Sequence, residues 1–280
     1  MADIRTIALP DGETIPAMGI GTWNMGDKRQ KRADEIVALQ TAVDLGMTVI
    51  DTAEMYGAGA AETLVAEAIG DRRSEIFLVS KVMPQHASRR GTITACEASL
   101  RRLKTDRLDM YLLHWRGSVP LAETMDAFKA LQHSGKIRHY GVSNLDLADM
   151  QELWKVPGGS ATATNQVLYN LMRRGIEWDL LPQLREWGVP VMAYSPIEQG
   201  KLVRNRKLAD FAQRHGMTPA TAALAWLLAS DDVIVIPKTG NRERLRENLA
   251  AVEIRLTTAQ LAELDQLFPP PKGPRPLEML

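Results

Sequence analysis

The chain has 280 residues, 45% of them hydrophobic, which is enough for a sizeable core, and its 34 Lys and Arg balance its 34 Asp and Glu. Zero net charge gives no field to gather a polyanion, which argues against nucleic acid or an anionic membrane surface as partner. The longest apolar run, residues 222–229, is far short of the roughly 20 residues a membrane span needs, and the single cysteine, Cys96, excludes an internal disulfide.

In chain order, the N-terminus reads as a β-hairpin, with residues 5–9 and 14–18 flanking Pro10-Asp11-Gly12. Pro fixes φ, Asp caps and Gly tolerates positive φ, so the turn has a mechanism. The chain then alternates. Short apolar runs suited to buried parallel strands fall at 18–21, 47–51, 76–81, 108–114, 139–143, 163–168, 189–194 and 233–237. Helical periodicity marks 32–45, 61–69, 90–103, 121–134, 179–187, 207–215 and 242–250. Thr218-Pro219 has the form of a helix cap followed by Pro at the first helical position, and Thr257 with Gln260 that of a capping box for a helix over 258–267. Ile93, Cys96, Leu100 and Leu103 share one helical face, which makes Cys96 a small core residue.

Eight strands alternating with helices in this length form a closed (β/α)8 barrel most economically, with a doubly wound open sheet as the competing arrangement. The helix-rich stretch 207–229 and the helix over 258–267 read as decorations. No linker divides the chain, so a single domain over 1–280 is expected. The proline-rich residues 269–280 should form an extended arm. The first residues carry no basic stretch leading into an apolar core, so no signal peptide is expected and the cytoplasm is the expected location.

In a parallel barrel all strands end on one face, and the side chains just past those ends converge. The polar residues at the exits are Asp51, Lys81, His114, Ser143, Asn144, Gln166 and Tyr194, with Tyr56 on the glycine-rich loop after Asp51. Taken singly, each has a plain structural use as a cap, a turn or a satisfied core group. Taken together, they make a chemistry. A buried Lys81 needs a counter-charge, which Asp51 can supply, and a Tyr56 beside that ammonium should have its hydroxyl pKa drawn down. His114 can donate to a polarised oxygen or tune the same tyrosine. Such a group suits protonating an oxygen while something else attacks its carbon. The five histidines are dispersed, and neither a His-Glu-x-x-His nor a Cys-x-x-Cys pattern occurs, so no metal site is expected. Gly19-Ile20-Gly21 lacks the third glycine of a dinucleotide fingerprint.

From the hairpin to about residue 268 the chain resembles the aldo-keto reductases, on "GIGTW" (19–23), "DTAEMYG" (51–57), "LVSKV" (78–82), "LDMYLLHW" (108–115), "GKIRHYGVSN" (135–144), "NQVLYN" (165–170), "AYSPIEQG" (193–200) and "IPKTGNRERLREN" (236–248). Among the family's branches it is most similar to small bacterial reductases of methylglyoxal and diketogluconate type. The resemblance implies a (β/α)8 barrel binding NADPH in extended form, with Asp51, Tyr56, Lys81 and His114 as catalytic tetrad and Tyr56 as proton donor. It implies carboxamide contacts from Ser143, Asn144 and Gln166, and ring stacking by Tyr194, which Ser195 and Pro196 follow. Thr22, Trp23 and Asp51 would lie near the nicotinamide ribose, and Lys238, Thr239, Arg244, Glu247 and Asn248 would hold the adenosine end.

Physical chemistry supports the last group, since a helix start favours phosphate and a guanidinium can stack on adenine while forking to a 2′-phosphate. NADP(H) is therefore expected over NAD(H). The expected activity is NADPH-dependent reduction of aldehydes, dicarbonyls and some ketones by a monomer. Tyr56 and His114 would face the substrate, in a pocket walled by Trp23, Met83 and Trp115. The chain departs from the family at "AGAAE" (58–62), and a short segment after Tyr194 with a short C-terminal arm suggests an open substrate site. A non-catalytic NADPH-binding protein on the same fold and a barrel isomerase using a Lys or Asp base are the alternative functions.

Overall fold

The computed structural model describes residues 4–280. Strands β1 (Thr6–Ala8) and β2 (Thr14–Pro16) pair antiparallel with Ile7 opposite Ile15. Gly12 turns the hairpin at φ +92°, and Ile7, Leu9 and Ile15 are buried beneath it. Glu13 on this hairpin meets Arg138 and His139, near the start of a barrel strand, so the hairpin covers the N-terminal end of the barrel.

The barrel itself is made of β3 (Ile20–Gly21), β4 (Val49–Asp51), β5 (Phe77–Val82), β6 (Leu108–Leu113), β7 (Ile137–Ser143), β8 (Asn165–Leu168), β9 (Val191–Tyr194) and β10 (Val233–Val235), all parallel and each beside its sequence neighbour. A parallel bridge between Met18 and Val235 and bonds from Gly19 N–H to Val235 O (2.9 Å) and Gly21 N–H to Pro237 O (3.1 Å) close the ring. The strands are buried on both faces, as helices outside and packed side chains inside require. Closure is tight at Gly19, where a Cβ would come within 2.4 Å of Val49 O.

Among the described residues, ten α-helices surround the ring: α1 (Arg32–Asp44), α2 (Ala60–Ile69), α3 (Arg89–Leu103), α4 (Leu121–His133), α5 (Leu147–Lys155), α6 (Leu180–Glu186), α7 (Arg206–Arg214), α8 (Pro219–Leu228), α9 (Arg242–Ala250) and α10 (Thr258–Leu267). Both predicted capping arrangements are present, at Thr218 and Thr257. Helix α5, absent from the helices predicted, has only Met150 and Leu153 fully buried, too short a stripe for periodicity to show. Its start was written in Asp146, whose carboxylate accepts from Asp149 N–H at 2.9 Å.

Helix α8 corrects a second expectation, for it is no decoration. Every residue from Ala220 to Leu228 is buried, as a helix apolar all round must be. Cys96 lies fully buried on α3, as its helical face predicts. The proline-rich tail forms no helix or strand, yet it is tied down: Leu277 packs on the core and Glu278 pairs with Arg173 at 2.5 Å. No helix among the described residues is long and apolar enough to cross a membrane.

Candidate active site

Parallel strands deliver Asp51, Lys81 and His114 to the C-terminal end of the barrel, at the ends of β4 and β5 and just past β6. Lys81 is fully buried, and its ammonium donates to Asp51 Oδ2 (2.8 Å), to the Thr52 carbonyl (2.9 Å) and to the Tyr56 hydroxyl (3.1 Å). Three acceptors saturate the three N–H groups of an ammonium, which is what lets a charge persist in this core. The Tyr56 hydroxyl accepts from Lys81, so its own hydrogen is free to point into the barrel mouth. Its ring meets that of His114 edge to face at 5.9 Å.

The electrostatics follow from burial and from these partners. Burial works against the Lys81 charge, but Asp51 and Tyr56 hold its pKa above the ordinary lysine value. Burial pushes His114 down to about 3, with the Lys81 charge adding to the effect, so its imidazole is neutral. Its Nδ1 is buried without a partner. Tyr56 corrects the sequence expectation. Lys81 does lower its pKa, but loss of solvent outweighs the ammonium, Asp51 adds to the rise, and the phenol stands above its ordinary value. The hydroxyl therefore holds its proton at neutral pH.

A second group adjoins this one. Gln166 donates to Asp51 Oδ1 at 2.8 Å, Ser143 Oγ donates to the Gln166 carbonyl at 2.8 Å, and Asn144 Nδ2 reaches His114 O and Ser143 Oγ, both at 3.1 Å. The Tyr194 hydroxyl donates to Asn144 Oδ1 at 3.0 Å. Thr22 Oγ1 donates to the Asp51 carbonyl at 3.0 Å, while Trp23 stands exposed on the rim. The Trp115 ring lies 4.8 Å from His114, and Met83 is half-buried with its N–H on Glu54 Oε1 at 2.8 Å.

The third group follows β10. Lys238 lies alongside Gly21, with Glu35, Lys31 and Asp27 as the charges around it, and Thr239 is buried. On α9, Arg244 is exposed, Glu247 half-buried and Asn248 buried. Asn241, unread in the sequence, caps α9 by accepting from Glu243 N–H (2.9 Å) and Arg244 N–H (3.0 Å), so part of the helix start expected to meet phosphate already has a partner. Ser195 and Pro196 follow directly on Tyr194, the last residue of β9.

Other residues escaped the sequence reading. Asn170 donates to the Ser195 carbonyl and to the buried Glu198, both at 2.9 Å, and Arg173 donates to Glu198 Oε1 at 2.8 Å. These support a segment in which Ser195, Glu198 and Gln199 all take positive φ, a conformation costly for non-glycine residues. Glycine-like φ at Ser or Glu has no sequence signature. At the opposite end of the barrel, Asp11, Glu13 and His139 bring possible metal-ligating atoms within 4.8 Å of one another, from positions too far apart in sequence to suggest it. Each carboxylate there takes a different ring nitrogen of His139, and Arg138 occupies Glu13 as well.

An aldo/keto reductase family model matches residues 17–268. Methylglyoxal reductase YeaE of Escherichia coli (strain K12) is 49% identical over 272 residues, covering 95% of this chain and 96% of that protein. The glyoxal reductase of Bacillus subtilis (strain 168) is 31% identical, covering 98% and 97%. Among solved structures, an aldo-keto reductase from Klebsiella pneumoniae in complex with NADPH superposes with a TM-score of 0.96 at 46% identity, over 100% of both chains. With the strand order, the closed ring and the Asp51–Lys81–Tyr56 cluster at its C-terminal end, these likenesses place the chain in the aldo/keto reductase family.

Proposed function

We propose that the protein reduces aldehydes, 2-oxoaldehydes and related dicarbonyls, and some ketones, to alcohols with NADPH. The observation that carries this reading is the Lys81 ammonium held between Asp51 (2.8 Å) and a protonated Tyr56 hydroxyl (3.1 Å) at the barrel mouth. The residues present suit the cofactor. A buried polar trio of Ser143, Asn144 and Gln166 lies beside the tetrad and the Tyr194 ring, and Lys238, Arg244 and Asn248 lie at the far end, where an anionic adenosine phosphate needs cations and amides. Lys238 and Arg244 favour a 2′-phosphate, so NADP(H) is preferred over NAD(H). NADPH, when bound, supplies the hydride that goes to the carbonyl carbon.

The chain's own residues handle the oxygen. His114, neutral, orients the carbonyl through a ring N–H. Tyr56 gives its phenolic proton to the carbonyl oxygen as the C–O double bond is reduced. Lys81, anchored by Asp51, stabilises the phenolate left behind until solvent restores the proton. Trp23, Met83 and Trp115 wall an apolar substrate pocket suited to small neutral carbonyls. The 280 residues act as one domain and as a monomer. The buried free Cys96 suits the reducing cytoplasm.

Purified protein mixed with NADPH and methylglyoxal should consume nicotinamide absorbance, and no turnover across a broad carbonyl panel despite NADPH binding would replace catalysis with a binding role. Tyr56→Phe should cut kcat by roughly 10²–10⁴-fold, the usual worth of a general acid, with NADPH affinity near wild type. A Phe variant that keeps most of its turnover would remove Tyr56 from its role.

A further inference from the structure

The loop that presents Tyr56 has little to hold it in place by itself. Its backbone makes only short turns, Tyr56 N–H to Ala53 O (3.1 Å) and Ala58 N–H to Met55 O (3.2 Å). Gly57, Ala58 and Gly59 take φ of +57°, +51° and +93° in succession, and for alanine that is an unfavourable conformation. Such a segment persists only when its surroundings over-determine it. The contact between the Tyr56 hydroxyl and Lys81 is a single hydrogen bond, and the other two bonds of that ammonium fix Lys81 without fixing the tyrosine.

The surroundings contain a lock. Arg102 of α3 passes under the loop, occupying the space of an absent side chain: a Cβ on Gly59 would lie 2.5 Å from Arg102 Cδ and 2.6 Å from its Nε. Arg102 donates from Nε to Glu62 Oε2 (2.5 Å) and from Nη2 to Ser99 Oγ (3.0 Å). Glu62 sits in the first turn of α2, three residues past Gly59, and has no access to solvent. Its other oxygen accepts from Ser80 Oγ at 2.7 Å, and Ser80 directly precedes Lys81 on β5. One buried carboxylate therefore joins the helix that follows the Tyr56 loop, the strand that carries Lys81, and the arginine that fills the hollow under Gly59.

A buried ion pair is weak evidence for added stability, because desolvation offsets its attraction, whereas its directional bonds fix the register of the parts it joins. We infer that Arg102 and Glu62 are positioning residues for proton donation, holding the Tyr56 hydroxyl within hydrogen-bond reach of the Lys81 ammonium. The inference rests on Tyr56 as the acid. The planar guanidinium does two tasks, pairing with Glu62 and bearing against Gly59. Lysine can do only the first.

The test is Arg102→Lys, which preserves the charge facing Glu62 and removes the plate under Gly59. Expected are a melting temperature within a few degrees of wild type and an unchanged NADPH Kd. Expected too is a kcat lowered about tenfold or more, with KM for methylglyoxal little altered. Because Lys81 lowers the Tyr56 pKa, retreat of the tyrosine should also move the alkaline fall of kcat to higher pH. Gly59→Ala, which keeps both charges and drives a Cβ into Arg102 Cδ and Nε at the same contact, should give the same kcat and pH signature, and it carries the test if Arg102→Lys does not fold. A folded variant with wild-type kcat and pH profile overturns the inference. So does an Arg102→Lys change that costs the same factor again in a Tyr56→Phe background, since a positioning residue has nothing left to position there. Tyr56→Phe alone retaining turnover would instead refute the assignment of the acid.

Discussion

Lys81 carries its charge with no access to water, and three oxygens stand in for the hydration it lost. That arrangement divides the work between two ionisable neighbours. Tyr56 is kept as a phenol by burial, with the ammonium beside it ready to stabilise the phenolate once the proton leaves. His114 is kept as a neutral imidazole, at about 3, by the same dry surroundings and the same cation. The pH dependence follows. With Tyr56 as the proposed proton donor, reduction would need the protonated phenol, so kcat should stay level through neutral pH and fall only as pH rises through the elevated Tyr56 pKa. No inflection near 6.5 should arise from His114. A kcat profile with a break near pH 6.5 that vanishes in His114→Gln would contradict the neutral-imidazole reading. The distances were out of reach of the sequence, but the meeting of Asp51, Lys81 and His114 was not, because parallel strands bring their ends to one face whatever lies between them. The balance of burial against the lysine at Tyr56 was not legible, since it depends on how much solvent the finished barrel excludes.

At the scale of elements, α9 and the loop before it show what pattern can and cannot tell. Its nine residues and their charged face were readable, and so was its place after the last strand. The cap was not: Asn241 looked like one more polar residue in a polar loop, yet it holds two N–H groups of the first turn. Asn241→Ala should therefore act twice. Loss of the cap should lower stability by about 1 kcal/mol, seen as a reduced urea midpoint, and a frayed start to α9 should raise the NADPH Kd through Arg244. Arg244→Ala should raise the NADPH Kd by a larger factor than the NADH Kd, because both cofactors share the adenine stack and only NADPH carries the 2′-phosphate. Equal losses for both cofactors would take Arg244 off the 2′-phosphate. Helix α5 was hidden for a related reason, its buried stripe being too short to stand out, while α8 was visible but misread because an all-apolar helix gives no clue to which neighbours bury it.

For the whole molecule, closure of the ring means that the site is built from strands distant in sequence, and its stability is that of the barrel. His114 links the two. Its folded pKa lies below the 6.5 of a free histidine, so the unfolded chain binds a proton that the native chain refuses. Stability is then unaffected by this group above pH 6.5 and declines as pH falls from 6.5 toward 3, by at most about 5 kcal/mol at about 1.4 kcal/mol per pH unit. Urea unfolding followed between pH 7 and 4 should show this loss, and His114→Gln should flatten the slope. An equal slope in the variant would assign acid sensitivity to other groups.

The burial of Cys96 acquires a different meaning beside a reactive substrate. A 2-oxoaldehyde is an electrophile, and thiolates are among the groups it modifies fastest. The chain has one thiol, enclosed between α3 and the barrel, with burial pushing its pKa up to about 12. It is therefore protonated and out of reach throughout the working range of pH. A packing choice made for the core thus leaves the protein with no reactive thiol on which a 2-oxoaldehyde, the substrate class proposed above, could become a covalent poison.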